Sequence, residues 1–121
     1  MSRPVKIPGP DHPITVTPST EHVVVRAGDR VIADTTRSLT LQESTYPAVH
    51  YIPIDDVDQS ALARTDTSTY CPYKGDASYY TITGDQDLTD VVWSYEKPYS
   101  SVEEIAGYVA FYPNKVSISV E

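Results

Sequence analysis

The stretch HVVVRAGDRVIAD, residues 22–34, reads as two short strands folded back on each other. Glycine first in a two-residue loop, here Gly28-Asp29, matches a type II′ hairpin turn. That turn sets Ala27 opposite Arg30, Val25 opposite Ile32 and Val23 opposite Asp34. Asp34 then ends an apolar face, where a turn-capping role before Thr35-Thr36 is expected.

The same signals recur outward in both directions. Strands are expected over 14–17, 39–43, 49–52, 67–70, 78–83 and 91–95. A closing hairpin is expected from 108–112 and 116–120 across Pro113-Asn114-Lys115. Valine, isoleucine, threonine and tyrosine dominate these segments, which suits strands. Ten prolines are scattered along the chain and break every long helical pattern. Short helical turns fit 54–62, with Asp55 and Asp56 at the start, and 101–105, with Ser101 as N-cap. Gly84 to Asp90 reads as a polar, acidic loop. The expected fold is mostly β: about nine short antiparallel strands in a sandwich or small barrel, with one or two helical turns. Residues 1–12 read as an irregular arm, and 13–121 as a single β domain.

The chain has 121 residues, enough for one domain and too few for two. Its formal net charge is −8, from nine basic and seventeen acidic residues. An acidic surface repels phosphate backbones, so nucleic acid is not the expected partner. No apolar run approaches membrane-spanning length, so no membrane partner is expected either. Cys71 is the only cysteine, which excludes an internal disulfide and paired-cysteine zinc sites. A lone thiol and an N-terminus without a signal-peptide pattern fit the cytoplasm. Ten tyrosines against one phenylalanine and one tryptophan point to half-wet strand faces, rims and pocket walls.

Five segments carry a family pattern: VIADTTRSLTLQESTYP (31–47), YIPIDDVD (51–58), TYCPYKGDASYY (69–80), VVWSYEKP (91–98) and EIAGYVAFYP (104–113). In this order, over about residues 12–116, the chain resembles the bacterial and fungal family called domain of unknown function 427, also labelled nucleotidyltransferase-like. The resemblance implies a compact, mostly β domain and no particular activity. Asp56 and Asp58 have the spacing of a nucleotidyltransferase carboxylate pair. The glycine-serine element that should precede them is absent, as is any phosphate-binding loop of the GxxxxGK type. The plainer reading of Asp55, Asp56 and Asp58 is a set of helix-start carboxylates.

Chemistry concentrates at Cys71-Pro72-Tyr73-Lys74-Gly75. Proline second in a tight turn, with glycine after it, brings Cys71 and Lys74 close. A neighbouring ammonium favours the thiolate, the nucleophilic form of cysteine. Cys71 and Lys74 are therefore the candidate catalytic residues. The plainer alternative is a packed, inert thiol with Lys74 capping carbonyls or pairing with Asp76. Candidate ligand-binding residues are Glu43, Arg37, Tyr70, Tyr80, Trp93 and Glu104. Glu43 ends the Leu39, Leu41, Glu43 face, where a carboxylate needs a partner such as Arg37, Lys74 or a tyrosine hydroxyl. Glu104 doubles as a helix-start carboxylate. Trp93 with Tyr95, and Tyr79 or Tyr80, either fills the core or walls a pocket beside the turn. His12, His22 and His50 lack metal-ligand spacing, and no metal is expected; the sequence leaves any cofactor open. The first functional reading is a domain binding a small polar ligand, such as a sugar, nucleotide or carboxylate, near the CPYKG turn. An enzyme using Cys71 and Lys74 is the second, and a structural or interaction domain the third.

Overall fold

The protein is described from a computed structural model covering residues 3–84 and 87–121. Residues 1 and 2 of the expected arm, and 85 and 86 of the expected acidic loop, lie outside the described residues. Among the described residues are ten strands: β1 Ile14–Pro18, β2 Val23–Ala27, β3 Arg30–Thr35, β4 Leu39–Glu43 and β5 Val49–Pro53. They continue with β6 Leu62–Cys71, β7 Gly75–Ile82, β8 Leu88–Ser94, β9 Tyr108–Phe111 and β10 Ser117–Val120. Among the described residues, helical structure is limited to 3-10 turns at Ile54–Asp56, Gln59–Ala61 and Ser100–Ile105. The mostly β expectation holds, with every pairing antiparallel.

Seven strands form one sheet in the order β1-β4-β5-β9-β8-β7-β6, and three form another in the order β10-β2-β3. Alternation gives the larger sheet two apolar faces. Ile52, Ile82, Val92, Val109 and Phe111 pack on Val23, Val25 and Ile32 of the smaller sheet. Leu39, Leu41, Tyr51, Ala77, Tyr79 and Ala110 form the second cluster, closed by Val102 and Ile105 of the last 3-10 turn. β4 and β7 are four places apart, which in a flat sheet means about 19 Å. Their side chains share one cluster, so the sheet is rolled around this face.

β6 begins at Leu62, earlier than the expected 67, and β8 begins at Leu88, inside the expected acidic loop 84–90; three further details differ from the sequence expectation. The β2–β3 hairpin turns at Gly28, with φ +63°. A bulge between Val25 and Arg26 then shifts the pairing, so that Val25 faces Ala33 and Val24 faces Asp34. The extra residue on β3 releases Asp34 from the apolar face. Its carboxylate is exposed and accepts a bond from His22 Nε2 at 2.6 Å. Turn capping falls instead to Thr35, whose Oγ1 accepts from the Arg37 amide at 2.9 Å.

The expected closing hairpin is not one. β9 pairs with β5 and β8 in the large sheet, whereas β10 pairs with β2 in the small one. The chain crosses between sheets there because Phe111 and Val116 both bury in the cluster between them. Finally, Tyr99 rather than Ser101 precedes the last 3-10 turn, and it makes no side-chain cap bond.

Candidate functional site

The CPYKG segment forms the β6–β7 turn. The Lys74 amide donates to the Cys71 carbonyl at 3.2 Å, and Gly75 follows at φ +109°. The turn aims the Lys74 side chain inward. Its ammonium donates to Glu43 Oε1 at 2.7 Å. Both side chains are nearly enclosed, with 13% exposure for Lys74 and 14% for Glu43. The second carboxylate oxygen, Oε2, accepts from His12 Nε2 at 2.7 Å. The His12 ring stacks on Tyr73 with centroids 4.2 Å apart. Burial pushes the Glu43 carboxyl up, but the bonds from Lys74 and His12 outweigh it and hold the group below the usual carboxylate range.

Tyrosines surround this ion pair. Tyr51, Tyr79 and Tyr95 are buried, so part of the tyrosine surplus lines an interior rather than rims. Burial drives the phenols of Tyr51 and Tyr95 well above their ordinary range. Tyr51 Oη accepts from the Trp93 indole N–H at 3.1 Å, the partner that a buried indole requires. Lys74 Nζ also lies 5.6 Å from the centre of the Tyr95 ring.

Beside the pair opens a cleft of about 580 Å³. It exists because the β5–β9 ladder is only two pairs long, Ile52 with Val109 and Pro53 with Tyr108. Continued pairing would join Tyr51 to Ala110 and His50 to Phe111. Instead the sheet splays. Leu41, Val49 and Trp93 line the gap with Phe111, and Ile118 and Val120 of β10 cover one side. Glu43 and His50 are the ionisable residues on its wall apart from the Tyr46 phenol. Trp93 leans on Tyr112 at 4.6 Å and 48°, and Tyr46 stands exposed at the other rim.

The residues singled out from sequence therefore divide. Glu43 and Lys74 are bonded, and Trp93 shares the cleft wall with Glu43. Cys71 is half-buried and packs on the tyrosine cluster, and neither it nor Lys74 lines the cleft. Arg37 lies elsewhere, bonded to Asp56 at 2.9 Å. Asp76 pairs with Arg3 rather than Lys74. The Tyr70 hydroxyl donates to the Pro4 carbonyl at 2.6 Å and contacts the Tyr99 hydroxyl at 2.7 Å. Tyr80 packs on the opposite face of the sheet, and Glu104 is exposed on its 3-10 turn. His50 does line the cleft, which Cys71 does not.

His12 is the partner that sequence reasoning missed. It lies 31 residues from Glu43 with no spacing to betray the contact. The only available signal is the anomaly of Glu43 itself, an acid closing an apolar face. Among the described residues, no three His, Cys, Asp or Glu side chains gather to hold a metal ion. Nor, among them, is any helix long and apolar enough to cross a membrane.

The family described as a domain of unknown function (DUF427) matches residues 15–121. No curated protein matches the chain.

Proposed function

Because the chain belongs to the DUF427 family, whose description assigns no activity, we propose a function from the site itself: binding of a small ligand in the cleft beside the CPYKG turn. The observation that carries this reading is the interrupted β5–β9 ladder, which leaves a largely apolar hollow of about 580 Å³ with a few polar groups on its wall. Ligand sites are typically concave, mostly apolar and of this volume, with a few polar groups that set orientation. The ion pair of Lys74 with Glu43 holds one wall in place by tying β4 to the β6–β7 turn. The enzyme reading of Cys71 and Lys74 draws less support. Lys74 is committed to Glu43, and neither residue faces the cleft. A lone thiol suits a reducing compartment, which supports a cytoplasmic setting for this function.

Trp93 is the only tryptophan, so its emission reports on the cleft. A set of small ring compounds screened by saturation-transfer NMR should give hits that also change this emission. The exposed Ala48 sits on the rim, and Ala48→Arg drapes a long charged chain across the opening. Hits should lose at least tenfold in affinity in that variant. Hits that bind Ala48→Arg unchanged, or an absence of hits, would remove the cleft from consideration.

A further inference from the structure

The chemistry of the cleft wall narrows its ligand, on the premise that the cleft is a binding site. Its lining is dominated by Leu41, Val49, Trp93, Phe111, Ile118 and Val120. The one carboxylate there, Glu43, already has one oxygen bonded to Lys74 and the other to His12. Among the described residues, no lysine or arginine lines the wall. An ion entering this space sheds water and meets no permanent, unpaired counter-charge, which is costly for either sign.

One polar group on the wall is unmet. His50 Nδ1 is buried and has no hydrogen-bond partner among the described residues. Buried polar atoms are nearly always satisfied, and this one, shielded from water in this arrangement, gains a partner when the His50 ring turns toward a ligand's hydroxyl or amide. Trp93, backed by Tyr112, offers a π-face, and Tyr46 offers a second at the rim. Aromatic walls favour a ring in offset or edge contact.

We infer that the cleft takes an uncharged ring compound carrying one hydroxyl or amide group, which meets His50, and that it discriminates against ions. Of the sugar, nucleotide and carboxylate classes suggested by the sequence, the two ionic ones are disfavoured by the same lining. A bare sugar offers too little apolar surface to fill it.

Three probes of similar shape separate charge from fit: 2-phenylethanol, 2-phenylethylamine as its ammonium, and phenylacetate. Each is titrated into the full chain at pH 7 with Trp93 emission as readout. The alcohol should saturate with a Kd at least tenfold below that of either ion. In His50→Phe, with its melting temperature checked, the alcohol's advantage over ethylbenzene should fall to less than threefold. An ion binding as tightly as the alcohol would overturn the ligand class while leaving the cleft as a site. If none of the three changes Trp93 emission, the site reading falls with it.

Discussion

Glu43 closes an apolar face with both carboxylate oxygens occupied, and that position makes its partners matter more than surface partners do. An exposed ion pair contributes little, about 0–1 kcal/mol, because water and salt screen it. Breaking an enclosed pair leaves a desolvated charge behind. Lys74→Met removes the ammonium and leaves Glu43 with His12 alone. The expected cost is roughly 3–5 kcal/mol by urea unfolding at pH 7. Adding Glu43→Leu in the same chain replaces the stranded carboxylate with an apolar group, and should recover most of that loss. Arg3→Ala breaks the exposed bond to Asp76 and should cost far less than Lys74→Met. Equal losses in the two single variants would contradict the enclosure of Glu43. The sequence exposed half of this arrangement. Leu39-x-Leu41-x-Glu43 marks a carboxylate that needs a partner, and periodicity can identify such an anomaly. It cannot select Lys74 over Arg37, because the choice depends on how far the sheet rolls.

Elements carry the same lesson. Period-2 alternation places most strands within a few residues, since it depends only on which side chains face the core. It says nothing of partners. β10 alternates and β9 is apolar throughout, and the two flank a turn, yet they belong to different sheets, because burying Phe111 and Val116 together outweighs hairpin closure. The cleft was illegible for the same reason: a ladder that stops after two pairs leaves no mark in either strand. Turn chemistry was more readable. Gly75 at φ +109° and Gly107 at φ +81° lie beyond the left-handed region that other residues reach easily. An added Cβ would meet the Lys97 carbonyl oxygen at 3.5 Å at Gly75, and nothing within 4 Å at Gly107. Those separations are tolerable, so the penalty is backbone strain in both cases. Gly75→Ala and Gly107→Ala should each cost about 1–3 kcal/mol, Gly75→Ala more. Thermal unfolding of the two variants measures this, and melting temperatures equal to that of the parent chain would refute it. Loss at Gly75 should also weaken the Glu43 bond, because that turn delivers Lys74.

Across the whole molecule, acid titration joins these scales. Five carboxyls among the described residues sit below their usual range. Asp56 is held down by Arg37 and Thr35, Asp76 by Arg3, Asp90 by Thr67 and Thr65, and Glu96 by Arg64. In Glu43, the bonds from Lys74 and His12 win over burial. A carboxyl lowered in the native state binds fewer protons there than in the unfolded chain. It therefore stabilises the fold above its unfolded pKa, about 4. That contribution fades as pH falls through the native value. The carboxyl contribution should decline steeply between about pH 4 and 2. The surface pairs are screened by salt, whereas the enclosed Glu43 is screened much less. Glu43→Gln should therefore flatten the acid limb more than Asp76→Asn, and 0.5 M sodium chloride should shrink the Asp76 effect while sparing that of Glu43. Unfolding free energies at half-unit pH steps, with and without salt, decide the matter. An acid limb equally steep in Glu43→Gln and the parent chain would mean that burial cancels the bonds from Lys74 and His12 and leaves Glu43 with no net shift.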